Sequence, residues 1–172
     1  MSYFKYQTPE ALAAWDKLQS DQKQMRDEGA QFAALFGGRP VYSNDISRSR
    51  FHGVKFDDAF YIAKELWTKP TSSTGFASWP KARAPKGLIE EYKALTELWK
   101  ANHPSVSVDI DEFYKAVGFD WGMLLICGFT YFAFDGAVYV YTKAKPQDGF
   151  GAVEIVGSEF DKAKAGYLDA QA

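Results

Sequence analysis

The dipeptide Asp135-Gly136 constrains the fold more than any other short stretch, because aromatic and β-branched residues flank it on both sides. Asp-Gly readily adopts the positive φ angles of a two-residue hairpin turn. The sequence therefore predicts a β-hairpin with strands at 124–134 and 137–142. Apolar residues on both strand faces predict that this hairpin lies in the middle of a sheet and is covered on two sides. The turn places three pairs opposite one another: Ala133 with Val138, Phe132 with Tyr139 and Tyr131 with Val140.

Helical patterns occupy most of the preceding chain. Thr8 and Pro9 predict the start of a long first helix, which the glycine pair at 37–38 ends. A second helix is predicted at 56–67 and a third at 88–102, because apolar residues recur three or four positions apart. These patterns predict a helix-rich N-terminal two-thirds of the chain.

Shorter strands are predicted at 40–42 and 51–56, and a third sheet strand at 152–156 precedes a final helix. Because helices come first and antiparallel strands later, the sequence predicts an α+β fold. We predict a single domain over residues 1–172, in which the helix-rich part packs on an antiparallel sheet built around the C-terminal hairpin.

The charge balance limits the classes of partner. A formal net charge of −2 is far from the basic balance of a general duplex binder, so we expect no duplex nucleic acid. Cys127 is the single cysteine, which excludes an internal disulfide, and its apolar neighbours predict a buried thiol. The N-terminus shows no signal-peptide pattern, and the most apolar window, 121–134, is too short to cross a bilayer. We expect a cytoplasmic protein with no membrane partner.

The sequence carries no diagnostic catalytic or cofactor motif. His52 and His103 lie far apart, and neither belongs to a metal-ligand spacing. The carboxylates at 57–58 and 109–112 are explained more simply as helix caps than as magnesium ligands. Neither a nucleophile elbow nor a phosphate-binding glycine loop is present. We therefore predict no metal and no cofactor, and we favour binding over catalysis.

Two segments concentrate positive charge in this slightly acidic chain. Segment 39–55 combines several cations and a histidine with one acidic residue, and segment 67–87 has four cations and no acid. The second segment also contains hydroxyl side chains and tryptophans. Guanidinium, ammonium and hydroxyl groups bind phosphate oxygens, and flat rings stack on bases. Because a short predicted helix separates the two segments, they could form one composite cleft.

The leading hypothesis is a non-enzymatic protein that binds a phosphate-bearing small molecule or nucleotide in a basic, aromatic-lined cleft. The predicted ligand contacts are Arg39, Arg48, Arg50, His52, Lys69, Thr74, Trp79, Lys81, Arg83 and Lys86. A plainer interpretation makes both segments solvated loops whose charges face water.

Two other hypotheses stay open. A protein-interaction module or inhibitor would bind a protein partner, or a second copy of itself, through exposed aromatic residues and the first helix. Such a compact chain would fit a phage or bacterial accessory protein. An enzyme without a readable motif is the third hypothesis, with His52 as its candidate acid–base group.

Overall fold

The computed structural model describes residues 1–44, 48–56, 60–63, 82–83, 86–102 and 108–172. These residues form helices and mostly antiparallel strands, including the C-terminal strands, which confirms the α+β class. In chain order the elements are β1 (Ser2–Tyr6), α1 (Pro9–Ala34), β2 (Arg39–Asn44), β3 (Arg48–Phe56), β4 (Phe60–Ala63), β5 (Ala82–Arg83), α2 (Lys86–Asn102), β6 (Val108–Asp109), α3 (Asp111–Ala116), α4 (Trp121–Cys127), β7 (Phe129–Phe134), β8 (Ala137–Thr142), β9 (Val153–Ile155) and α5 (Gly157–Gln171).

The chain divides into two compact units. The first comprises residues 1–19 and 109–172, and the second comprises residues 20–108. Helix α1 contributes residues to both units. The prediction of one domain over residues 1–172 stays a prediction.

Helix α1 begins and ends where the sequence predicts. Pro9 is its first residue, and Thr8 Oγ1 accepts a hydrogen bond from the Ala11 amide at 3.3 Å. Gly37, just beyond its end, has a φ of 67°, a conformation that glycine adopts without strain. The polar middle of the helix surrounds a narrow buried seam. Its buried hydrophobic residues at seven-residue spacing are Ala11, Leu18, Met25 and Phe32.

The predicted hairpin in the first unit is confirmed at its turn and in its register. Asp135 and Gly136 have φ angles of 49° and 71°, as a type I′ turn requires. Strands β7 and β8 pair so that all three predicted residue pairs lie opposite one another. Strand β9 and helix α5 also form close to their predicted bounds. The Asp-Gly turn was therefore sufficient to predict the turn and the register of this hairpin.

The predicted first strand of the hairpin is too long, because it begins only at Phe129. The preceding residues, Trp121–Cys127, form helix α4 instead. Asp120 caps that helix by accepting a hydrogen bond from the Gly122 amide at 2.8 Å. Gly128 ends it with a φ of 70°. A short apolar run fits a buried helix as well as a strand, which explains the wrong prediction.

The position of the hairpin in its sheet also differs from the prediction. The strand order is β7-β8-β1-β9, so β8 is internal but β7 lies at an edge. Strand β1 pairs antiparallel with both β8 and β9. The sequence did not predict β1, because its pairing partners lie at the other end of the chain.

Aromatic side chains fill the core on both faces of this sheet. Helix α5 packs against β7 on one face, where the buried cluster consists of Phe132, Ala137, Tyr139, Phe160 and Ala163. On the other face, Phe4 lies opposite Val140 and Tyr6 lies opposite Val138, all of them buried. The Tyr6 hydroxyl donates a hydrogen bond to the Val117 carbonyl at 2.8 Å. Burial raises the pKa of Tyr6 above its ordinary value.

The second unit contains a five-stranded sheet in the order β2-β3-β4-β5, with β6 paired to β3. Strands β2, β3 and β4 are antiparallel, and β5 is parallel to β4. The helix predicted at 56–67 is wrong where the structure describes it, because Phe60–Ala63 form strand β4. Three of its four residues, Phe60, Tyr61 and Ile62, are aromatic or β-branched, and such residues pack well on a pleated surface. Pairing with β3 therefore overrides the helical spacing.

One face of this sheet packs against the helices of the second unit. Val54 is fully buried with Phe32 and Ala33 of α1, and partly buried residues surround this cluster: Phe36, Phe56, Leu88 and Ile89. The end of α1 lies so close to β3 that a Cβ atom on Gly38 would overlap Val54 Cγ1. The Tyr42 hydroxyl donates a hydrogen bond to the Arg26 carbonyl at 2.8 Å, which joins β2 to the same helix.

Candidate anion-binding surface

The strand register aligns four residues across the sheet of the second unit. Arg39 in β2 pairs with Lys55 in β3, Lys55 pairs with Tyr61 in β4, and Tyr61 pairs with Arg83 in β5. Residues directly opposite each other in a ladder share one face of the sheet. We call these four positions, Arg39, Lys55, Tyr61 and Arg83, the basic row.

The basic row belongs to the sheet face that lies away from the hydrophobic core. The adjacent row consists of Pro40, Val54 and Ile62, and Val54 is 0% exposed. Successive residues of a strand point to opposite faces, so Lys55 faces away from the cluster around Val54. Arg39 is exposed and Lys55 is half-buried. Part of each of these two cationic side chains is therefore accessible to solvent.

Positive charge is concentrated on these strands. Together β2, β3, β4 and β5 contain no Asp or Glu, and their cationic residues are Arg39, Arg48, Arg50, Lys55 and Arg83. Adjacent strands lie about 4.8 Å apart, so the four positions of the basic row extend over about 14 Å.

The structure locates some of the predicted ligand contacts by backbone position. Arg39 and Arg83 belong to the basic row, and Arg50 pairs with Ser43. Arg48 and His52 also lie in β3, whose register to β2 shifts between Val41 and Tyr42, beside His52. Lys86 is the exposed first residue of α2. The remaining predicted contacts lie outside the described residues: Lys69, Thr74, Trp79 and Lys81.

Two members of the basic row were not among the predicted ligand contacts. Lys55 was recognised only as part of the charge of segment 39–55, and its alignment with Arg39 depends on the strand register. Tyr61 was assigned to a helix, so no pattern placed it between two cations. The run of aromatic and β-branched residues at Phe60, Tyr61 and Ile62 is the one signal that could indicate the strand.

Two cavities of the first unit combine both signs of charge. Lys143, Lys145 and Glu154 line one of about 670 Å³, and Asp111 and Lys115 line another of about 380 Å³. An ion pair of 2.7 Å joins Lys115 Nζ to Asp111 Oδ2, and this contact raises the pKa of Lys115. Neither cavity has lining charges of a single sign, the arrangement that concentrates ions of the opposite charge.

Cys127 departs from its prediction. The thiol residue is half-buried at the end of α4 and not fully buried, because this segment is a short helix and not an internal strand. Among the residues that the structure describes, no group of three His, Cys, Asp or Glu side chains comes together in a way that could hold a metal ion.

The fold and the basic row define a small α+β protein in which four strands of one sheet, β2 to β5, carry cationic residues and no acidic residue. The chain belongs to the Bacteriophage Mu gene product 12 family, whose model matches residues 1–171. It is similar to the "Uncharacterized protein gp12" of Escherichia phage Mu, with 30% identity over 166 residues that cover 94% of each chain. No solved structure matches it. These comparisons confirm the hypothesis of a phage protein.

In the described parts of the chain, no helix has both the length and the apolar character needed to cross a bilayer.

Proposed function

We propose that this phage protein is an accessory protein that binds a phosphate-bearing ligand at the basic row and catalyses no reaction on it. The observation that supports this proposal is the strand register, which aligns Arg39, Lys55 and Arg83 across one sheet. The opposite sheet face is committed to the core through Val54. Arg39 and Lys55 therefore lie on the sheet face opposite that core.

The types of cation suit phosphate. A guanidinium group can donate two parallel hydrogen bonds to phosphate oxygens, and the Lys55 ammonium adds a compact charge between the two arginines. Since β2 to β5 carry no carboxylate, no acidic side chain of these strands would repel a bound phosphate. We also propose a cytoplasmic site of action, because a chain with one cysteine has no internal disulfide to maintain.

A second candidate function, protein interaction, is supported by a different surface. Strand β9 is an edge strand of the first unit's sheet. Val153 and Val156, within and beside it, are 60% and 66% exposed. An edge strand with apolar side chains can pair with a strand of another chain. This surface belongs to the other unit, so separate substitutions can test the two functions.

Calorimetric titration of the full chain tests the leading proposal. The ligands are ATP, tripolyphosphate and a single-stranded oligonucleotide, and the variants are Arg39→Ala, Lys55→Ala and Arg83→Ala. A charge-assisted hydrogen bond contributes about 1.5–3 kcal/mol, so each variant should bind at least about tenfold more weakly. Lys93→Ala, which removes an exposed cation from α2 in the same unit, should bind like the unmodified protein.

Two outcomes would contradict the proposal. The unmodified protein could bind none of the three ligands, or the variants of the basic row could bind as tightly as Lys93→Ala. Thermal unfolding of each variant would show that a lost affinity does not come from lost folding. In either contradictory case, Val153→Asp would then test whether the apolar surface around β9 binds a protein.

A further inference from the structure

Strand β9 forms one edge of the sheet in the first unit, and its residues are accessible. In the order β7-β8-β1-β9 it pairs with β1 alone among the described strands. Val156, directly after β9, is still extended, with a φ of −81° and a ψ of 152°. Val153, Glu154 and Val156 are exposed. The outer side of such an edge presents main-chain groups that another extended chain can bind.

The cavity of about 670 Å³ lies beside this edge. Glu154 pairs with Phe4 of β1, so the two side chains share one face of the sheet. Both residues line the cavity, and the connection between β8 and β9 supplies most of the remaining lining. A chain that pairs with β9 would therefore direct the side chain opposite Glu154 to the cavity side of the sheet.

Glu154 gives this edge its electrostatic character. On the other sheet face Lys5, which lies opposite Val153, forms an ion pair of 3.1 Å with Glu159. The charges on that face therefore balance each other. In the described part of the chain, no ion pair or side-chain hydrogen bond involves Glu154. A cation placed opposite this carboxylate would be attracted to it, and a second carboxylate would be repelled.

We propose that β9 binds an extended segment of another protein in which a lysine or arginine lies between two apolar residues. This inference rests on the second candidate function, protein interaction at β9, and not on ligand binding at the basic row. The segment pairs with β9 through its main chain. Its cationic side chain lies beside Glu154 and enters the cavity, while the apolar residues on either side of it cover Val153 and Ile155 on the other face.

The lining of the cavity suits a long cationic side chain. Lysine and arginine carry their charge on an apolar stem, and the lining includes the apolar residues Phe4 and Pro146. Asp148 adds a second carboxylate to that of Glu154. The two lysines of the lining, at 143 and 145, follow β8, which β1 separates from β9 by about 10 Å in all. The carboxylate on β9 is therefore the charge nearest to the paired segment.

The same carboxylate argues against a second copy of this chain at the edge. Pairing between two β9 strands would bring two Glu154 carboxylates close together, where like charges repel. Strand β9 is also only three residues long. Short edge strands with a charged side chain discourage pairing between identical chains. A cationic segment of a different protein is attracted by the charge that repels a second copy.

Fluorescence anisotropy of the full chain with labelled peptides tests this inference. The peptides have about seven residues, within the usual range of strand lengths. Valine flanks the central residue on both sides, and the three peptides differ only in that central residue, which is lysine, alanine or glutamate. We expect the lysine peptide to bind at least about fivefold more tightly than the glutamate peptide, because an attraction across the strands replaces a repulsion. This comparison uses the unmodified protein.

Substitutions at Glu154 should change this preference in a defined direction. Glu154→Lys should reverse the order, so that the glutamate peptide binds most tightly, and Glu154→Gln should reduce the difference between the charged peptides to about twofold. Asp148→Asn should weaken the lysine peptide alone. Asp169→Asn is the matched control, because Asp169 is an exposed carboxylate on α5 in the same unit. Thermal unfolding of each variant checks that the fold is intact.

The outcomes distinguish this inference from the function on which it rests. If the three peptides bind equally, if Glu154→Lys keeps the original order, or if Asp148→Asn binds the lysine peptide like Asp169→Asn, the inference is overturned. Protein interaction at β9 then stands, provided that Val153→Asp removes peptide binding.

Sedimentation velocity identifies the alternative occupant. A dimer that Val153→Asp dissociates would assign the edge to a second copy, which overturns the inference and keeps protein interaction at β9. A monomer that binds none of the peptides overturns both. Ligand binding at the basic row is tested separately, by substitutions in the other unit.

Discussion

Phe132 in β7 is the position where the packing of the first unit can be tested most sharply. Its side chain is 3% exposed. Its ring centroid lies 5.2 Å from the rings of Tyr139, Phe160 and Tyr167. Burying a phenylalanine contributes about 1.5–3 kcal/mol, and each aromatic pair adds about 0.5–1.5 kcal/mol. Phe132→Ala should therefore lower the free energy of unfolding by about 3–5 kcal/mol, the usual range for such a truncation.

Equilibrium unfolding in urea, followed by circular dichroism, measures this change. Thr130→Ala is the matched control, since Thr130 lies two positions earlier in β7 and is exposed. Its free energy of unfolding should change by less than about 0.5 kcal/mol, as for most surface substitutions. A loss below about 1 kcal/mol for Phe132→Ala, or equal losses for both variants, would refute the placement of this ring in the core between the sheet and α5.

Two further predictions concern the contact between the end of α1 and β3, and the buried side chain of Tyr6. Gly38→Ala should lower the stability by about 1–3 kcal/mol, because its Cβ would overlap Val54, whereas Gly87→Ala, with no atom near the added Cβ, should not destabilise the protein. Thermal unfolding of the two variants checks this difference, and equal midpoints would contradict it. Burial raises the pKa of Tyr6, because it disfavours the ionised hydroxyl. The stabilising effect of burying neutral Tyr6 is therefore complete below the unfolded-state pKa of about 10 and is lost as pH rises further. The free energy of unfolding, measured from pH 8 to 11, should therefore fall less steeply in Tyr6→Phe than in the unmodified protein. Identical pH dependence in the two proteins would contradict this effect of Tyr6 on stability.

The sequence could predict the elements whose signals are local. The Asp135-Gly136 turn fixes its own φ angles and, through them, the register of β7 and β8. Thr8 and Pro9 mark the start of α1 for a similar reason, because caps and first-turn residues act on their immediate neighbours. Such features need no knowledge of distant partners.

Features that depend on distant pairing were missed. Strand β1 is stabilised by β8 and β9 from the other end of the chain, and β4 is a strand because β3 lies beside it. Both segments are short and apolar in part, so their periodicity alone does not decide between helix and strand. The same limit made β7 appear longer and more central than it is.

The candidate site likewise has one feature that the sequence predicts locally and another that depends on distant strand pairing. Counting charges along the chain was enough to indicate that 39–55 is basic, because charge is a property of composition. The alignment of Arg39, Lys55, Tyr61 and Arg83 follows from two antiparallel pairings and one parallel pairing, none of which a local pattern specifies. Lys55 and Tyr61 therefore belong to the candidate site through the strand register alone.

The salt dependence of oligothymidine binding tests the central claim most directly, because it counts phosphate contacts. Each phosphate of a single strand that a cation neutralises adds about −0.7 to the slope of log K against log salt. The three cations of the basic row predict a slope of about −2, and Arg39→Ala should make it shallower by about 0.7 while Lys93→Ala leaves it unchanged. A slope near zero, or one that Arg39→Ala, Lys55→Ala and Arg83→Ala all leave unchanged, would contradict phosphate binding at the basic row.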